Sequence, residues 1–290
     1  MKIDKDKFIN AGMNYIYELD QYPRSSVKSQ VTKEFDELLE LNDSAVLLSR
    51  LDYIGIGEAS DYLNHLIETD EGSVIAGIRH LGGDKEKPFV FVWPSFKINS
   101  IRKIIHNISP YFEIFKPDHY CYWSRPDCND SGEVVVQQRF IGRIAEMHKS
   151  DFFLLKPESY YEWYKSEYDQ FHKDNPEYIN RIQVNSKEVM DSSQKEGLLY
   201  LYTQGVDKLG LIAGENDTFL DEKSIYINEL LIAHNYRGKG YANNLLSSFI
   251  ALLDAEYLIC DIDSDNIPST KAALRSGQSV FSQEVFVSVS

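Results

Sequence analysis

Cysteine is scarce, with three in 290 residues. Cys121, Cys128 and Cys260 form an odd, irregularly spaced set, which excludes a disulfide framework and points to reduced thiols in a cytoplasmic protein. His119 stands near Cys121, but no ligand pairs at zinc-finger spacing follow, so no metal site is expected. Long apolar runs are also missing. No stretch approaches the ~20 residues of a membrane helix, and the first residues, MKIDKDKFINAG, lack the apolar core of a secretion signal. Basic residues are in deficit: 30 Lys and Arg against 45 Asp and Glu give a net charge of −15. Binding a phosphate backbone needs basic surface, so nucleic acid is not expected as the main partner. The acidity mildly favours a cationic small molecule or peptide instead. A nucleotide-binding P-loop is absent as well, because Lys239 is followed by Gly240 rather than Ser or Thr.

What remains is a chain long enough for two domains. Residues 1–70 carry helical spacing: Phe8, Ile9, Met13, Ile16 and Leu19 up to Pro23, then Val31, Phe35, Leu38 and Leu39 over 27–41, and a further helix over 58–68. From Gly72 the period drops to two. Strands are expected over 74–81 and 89–93, a helix over 98–108, and an extended aromatic stretch over 112–123. A second half begins near residue 151, with helices over 156–171 and 177–190 and strands over 198–202 and 209–213. A strand over 257–262, a helix over 266–276 capped by Asn266 with Pro268 in its first turn, and a β-rich tail over 280–289 complete it. The fold class is therefore α/β (α+β), divided as 1–145 and 151–290. The aromatic set Phe89, Phe91, Trp93, Phe112, Phe115, Tyr120, Tyr122 and Trp123 reads as core filling.

Residues 224–253 organise the second half. Ile225 and Ile227 are apolar at odd positions, whereas Leu230 and Ile232 are apolar at even ones. A strand alternates with period two, so this slip predicts a bulge near 228–230. Arg237-Gly238-Lys239-Gly240-Tyr241-Ala242 follows, and then an amphipathic helix with Leu245, Leu246, Phe249, Ile250, Leu252 and Leu253. Glycines at a strand–helix junction let backbone N–H groups approach a phosphate, and the helix N-terminus adds partial positive charge. Arg237 and Lys239 bring two cations to the same place.

This segment resembles motif A of the GCN5-related N-acetyltransferase (GNAT) superfamily, in which Gln or Arg, two residues, Gly, one residue, and Gly or Ala follow a bulged strand. Arg237, Gly240 and Ala242 fill those places. The stretch Asn266-Ile267-Pro268-Ser269, running on to Gly277, resembles the family's Asn-x-x-Ser/Ala segment. The resemblance covers about 151–290 and implies the GNAT acyl-CoA N-acyltransferase fold there, with acetyl-CoA as co-substrate and no metal. It implies coenzyme A contacts at Leu231, Ile232, Arg237, Gly238, Lys239, Gly240, Tyr241, Ala242, Asn266 and Ser269. Residues 1–145 are open to two interpretations: a degenerate copy of the same fold, or a helical extension with an unrelated small mixed sheet. The counterpart of the phosphate turn there, 93–100, has no glycine and no matching Arg or Gln.

An attacking amine must lose a proton, and the developing oxyanion needs a donor. The resemblance implies that amides around Leu231 and Ile232 polarise the thioester carbonyl. Glu229 is the carboxylate on that strand, and its apolar neighbours would raise its pKa towards neutrality. The rival for Glu229 is a structural or solvent-facing role, with Tyr226 and Asn228 then guiding a water chain. The family's tyrosine acid falls at Ala272, which cannot serve, so Tyr241, Tyr226 or direct departure of the thiolate remain. Three function classes follow. The first is an N-acetyltransferase acting on a primary amine of a small molecule or peptide. The second is a coenzyme A-binding sensor without efficient turnover, and the third a transferase using another donor such as aminoacyl-tRNA. The acidic balance disfavours the third. Either of the first two admits a homodimer.

Overall fold

Helices give way to strands near residue 65, and the first unit is built on that change. The computed structural model describes residues 3–15, 21–98, 101–126, 132–179 and 182–288. By its internal contacts the chain divides into two units, Met1–Gln138 with Phe281–Ser290, and Arg139–Val280. The division thus falls earlier than the sequence suggests, and the last strand groups with the first unit.

In that first unit α1 (Lys5–Tyr15), α2 (Arg24–Glu40) and α3 (Ser44–Ile54) precede β1 (His65–Thr69), β2 (Gly72–His80) and β3 (Pro88–Pro94). The short α4 (Ile105–Ile108) leads to β4 (His119–Ser124) and β5 (Glu133–Arg143). The strands β1, β2 and β3 pair antiparallel, and β4 joins β3 in parallel. Phe8 stacks on Phe35 at 5.3 Å, Phe35 meets Trp93 edge-on at 5.4 Å, and the Trp93 indole donates to the Phe8 carbonyl. Phe91, Trp93, Phe112, Phe115, Tyr120 and Tyr122 are buried, as core-filling aromatics should be.

Several expected elements differ. Residues 58–68 are not one helix but a 3-10 turn, Ala59–Tyr62, followed by β1, because His65 to Thr69 find ladder partners in Ala76 to Gly72. Pairing across a hairpin here overrides local helical spacing. The helix expected over 98–108 shrinks to Ile101–Lys103 and α4, and 112–123 is strand only from His119. β5 and α3 were not anticipated. Ile16, Leu19, Asn99, Ser100 and Cys128 lie outside the described residues.

The second unit continues with β6 (Leu154–Leu155), α5 (Tyr161–Asp174), α6 (Lys187–Lys195), β7 (Leu199–Gln204), β8 (Asp207–Phe219) and β9 (Glu222–Ile232). It ends with α7 (Tyr241–Ala251), β10 (Tyr257–Asp263) and α8 (Ile267–Ser276), after which β11 (Ser279–Ser288) pairs antiparallel with β4. The helix expected over 177–190 begins only at Lys187, where Ser186 caps it by accepting from the Val189 amide. Strand order in this unit is β5, β10, β9, β8, β7, β6. One face is covered by α7, whose Leu245, Leu246, Phe249 and Ile250 pack with Ile212, Ile225 and Leu258. The other is covered by α5 and α6, through Tyr160, Tyr164 and Met190 against Leu199, Leu211 and Leu231. Each such apolar side chain contributes about 1.5–3 kcal/mol by leaving water. Among the described residues, no helix is long and apolar enough to cross a membrane.

Candidate functional site

Two strands that pair at one end and part at the other open the site. β9 and β10 run parallel and pair at Ser224, Ile225 and Tyr226 with Tyr257, Leu258 and Ile259. Both strands run on, β9 to Ile232 and β10 to Asp263, without further pairing between them. The cause lies two residues past the last pair. Opposite β8, Ile227 faces Gly214 and Glu229 faces Ala213, which leaves Asn228 as the extra residue of a bulge. A bulge bends and twists its strand, and the ends separate around a cavity of about 640 Å³. The slip also explains the packing. Ile225, Ile227, Leu230 and Ile232 all pack with the α7 cluster, while Leu231 packs with α5 and α6.

The turn at 237–242 forms one rim. Gly238 and Gly240 hold φ of +74° and +85°, the left-handed region, and no atom lies within 4 Å of where a Cβ would sit on either. Gly240 is the N-cap of α7, and no side chain caps this helix. The first bond of the turn is from the Asn243 amide to the Gly240 carbonyl, 3.1 Å. The amides of Tyr241 and Ala242 therefore lack intrahelical acceptors, which gives the cavity wall an anion-seeking edge. Arg237 lines the cavity; its Nε donates to the Ile232 carbonyl at 3.0 Å and its guanidinium lies 5.4 Å from the Phe171 ring. Lys239 turns aside: its ammonium donates to the Asn235 carbonyl at 2.9 Å, over the Tyr236 ring. On the facing rim the Asn266 side chain accepts from the Ser269 amide at 3.3 Å, capping α8. Asn266, Ser269, Lys271, Ala272 and Arg275 line that side.

Strand alternation separates the two expected β9 amides. Ala233 donates to the Leu209 carbonyl of the neighbouring β8 segment, and the Leu231 carbonyl sits against Gly210. Backbone groups of successive residues point to opposite edges, so Leu231 is committed to β8. Ile232 faces the parted edge, where Arg237 meets its carbonyl. Of the two, only Ile232 is free to offer an N–H into the gap.

Glu229 is buried yet lines the cavity. Its Oε2 accepts from the Tyr164 hydroxyl at 2.5 Å, the Tyr168 hydroxyl at 2.8 Å and Asn185 Nδ2 at 3.4 Å. Burial raises its pKa above the ordinary 4.5, and the two phenols, the Leu230 amide and Asn185 oppose that rise. Burial, with the neighbouring carboxylate, pushes both phenols well above their usual range, so they remain donors. Asn228 lies off the cavity, its amide 3.4 Å from Ser193 and its carbonyl accepting from Asn185. Tyr226 is also outside the lining, near Asp261 and Arg139 on the β10 side, with its pKa raised by burial.

The cavity thus gathers Glu229, Leu231, Ile232, Arg237, Gly238, Gly240, Tyr241, Ala242, Asn266 and Ser269, but not Tyr226, Asn228 or Lys239. Sequence reasoning missed the α5 wall, Tyr168 and Phe171, and the cations Lys271 and Arg275. A signal for the first existed: Tyr160, Tyr164 and Tyr168 repeat every four residues, and buried phenols need partners. Among the described residues, no group of three or more His, Cys, Asp or Glu is placed to hold a metal.

Residues 157–277 match the acetyltransferase (GNAT) family model. A GCN5-related N-acetyltransferase from Sphaerobacter thermophilus shares 11% identity, with 84% of this chain and 90% of that chain covered at a TM-score of 0.51. An acetyltransferase of the GNAT family from Colwellia psychrerythraea shares 13% identity over 74% of this chain and 85% of that one, at a TM-score of 0.45. No curated protein matches the sequence. The parted strands and the glycine turn before an uncapped helix both lie within residues 157–277, the span that matches the acetyltransferase (GNAT) family model.

Proposed function

We propose that this domain binds acetyl-CoA as co-substrate and transfers the acetyl group, by direct attack, to a primary amine of a small molecule or peptide. The observation that carries this reading is the uncapped N-terminus of α7, with Gly240 at φ +85°, at the mouth of the parted β9–β10 pair. The bare Tyr241 and Ala242 amides suit a pyrophosphate, and the open space over Gly238 and Gly240 leaves room for its oxygens. Arg237, Lys271 and Arg275 supply positive charge along the rim. A chain laid along the free edge of β9 would meet the Ile232 amide, which is suited to polarise a thioester carbonyl. Glu229 is the group to receive the amine's proton, because burial raises its pKa towards the working range. The net charge of −15 favours a cationic acceptor by steering.

A second reading is a coenzyme A-binding sensor. Ala272 favours it, since a buried methyl group lines the cavity where an acid would protonate the departing thiolate. One experiment separates the two. The protein is incubated with acetyl-CoA and a panel of primary amines, free thiol is followed, and products are weighed by mass spectrometry. Thiol release with an equal amount of acetylated amine supports the transferase. Tight acetyl-CoA binding with no thiol release across the panel supports the sensor.

A further inference from the structure

Glu229 lines the cavity, and Tyr168, which lines it too, is hydrogen-bonded to its Oε2. Oε2 of Glu229 is the oxygen that carries three donors, from Tyr164, Tyr168 and Asn185. Tyr164 does not line the cavity, and its own oxygen accepts the Asn185 amide at 3.0 Å. Tyr168 does line the cavity, its proton is directed at Glu229, and its oxygen keeps lone pairs for an incoming N–H. We propose that Tyr168 is a catalytic residue: it accepts the proton of the acceptor ammonium while passing its own hydroxyl proton to Glu229 Oε2. This rests on the acetyltransferase reading above.

The step balances without any further reactant. The nitrogen keeps its electron pair as one N–H proton moves to the Tyr168 oxygen, and the Tyr168 O–H pair stays on oxygen as its proton reaches Glu229. A neutral amine, a neutral tyrosine and a neutral carboxylic acid result. The amine pair then forms the C–N bond, the C–S pair leaves on sulfur, and the second nitrogen proton goes to that sulfur. Glu229 afterwards returns its proton to solvent along the same path. Tyr164 and Asn185 are positioning residues, since they fix Oε2 facing Tyr168. The groups that face the carboxylate are Tyr164 and Tyr168 from α5, Asn185 from the α5–α6 connection and the Leu230 amide. His172 stands beyond Tyr168, ring centroids 6.1 Å apart.

The test uses the whole chain with acetyl-CoA and four probe amines: butylamine, phenethylamine, spermidine and a lysine-containing peptide. On the fastest of these, Tyr168→Phe should lower kcat about 100-fold and leave acetyl-CoA affinity unchanged. Its rate should rise with pH towards the amine's own pKa instead of levelling at that of Glu229. Adding Glu229→Gln to it should lower kcat no further, whereas Tyr164→Phe should keep the relay and move the rising limb to higher pH. Parent kcat in mixtures of light and heavy water should curve, because two protons move together. A linear solvent-isotope dependence in the parent overturns the relay without any variant, and so does a parental rate and pH profile in Tyr168→Phe. Thiol release from none of the four amines would instead overturn the acetyltransferase reading on which the relay rests.

Discussion

Replacing Gly240 by alanine separates the strain of the turn from its contact with a ligand. Gly240 sits at φ +85° and nothing within 4 Å obstructs an added Cβ, so the fold objects only to the backbone angle. An alanine in the left-handed region costs about 1–2 kcal/mol, and the stiffer unfolded chain returns ~0.4–1 kcal/mol. The net loss, about 1 kcal/mol, lowers Tm by ~2–4 °C for a protein of this size. Gly205, at φ +62° in the β7–β8 turn, has equally open surroundings and does not line the cavity. Gly205→Ala should therefore lose the same stability. Only Gly240→Ala should lose affinity for acetyl-CoA, because its methyl group occupies the space a phosphate needs against the Tyr241 and Ala242 amides. The expected loss is tenfold or more in Kd, about 1.4 kcal/mol, measured calorimetrically on both variants. Equal Kd values for the two would refute the phosphate role of the turn.

Glu229→Gln should depress turnover roughly 10²-fold or more with little change in acetyl-CoA affinity; an unchanged rate in steady-state assays would remove Glu229 from the chemistry. Its folded pKa lies above the ordinary 4.5, so the native state holds this proton more tightly than the unfolded one. The stability it contributes is full below pH 4.5 and lost as pH rises through the folded value. Urea denaturation against pH should show that decline in the parent and not in Glu229→Gln, and matching slopes would contradict it. Acetyl-CoA affinity should weaken with ionic strength, more steeply than that of dephosphorylated pantetheine. Lys271→Ala and Arg275→Ala should reduce this salt dependence, whereas Lys239→Ala, whose ammonium is held by the Asn235 carbonyl, should change it less; calorimetry at several salt concentrations decides.

The bulge could be read from the sequence because it shifts apolar phase between Ile227 and Leu230, and burial follows phase directly. The α8 start was legible for a similar reason, since Asn266 and Pro268 act within one turn. What lay hidden was long-range. The contact of Tyr164 with Glu229 spans 65 positions, and helical spacing states which face is buried, not which carboxylate it meets. Parity alone made Glu229 ambiguous, but the extra residue at Asn228 sets it opposite Ala213 and facing α5. β1 was misassigned as helix because its identity comes from pairing with β2, and Lys239 because a side chain's direction is settled by the nearest carbonyl.

Hydrogen exchange with and without acetyl-CoA locates the bound co-substrate without knowledge of the acceptor. Binding at the site described should slow exchange at the free edge of β9 and the start of α7, residues 230–246, and at the start of α8, residues 266–275. Residues 3–98 should be unchanged. Protection confined to the first unit, or none in 230–246 at saturating acetyl-CoA, would contradict it.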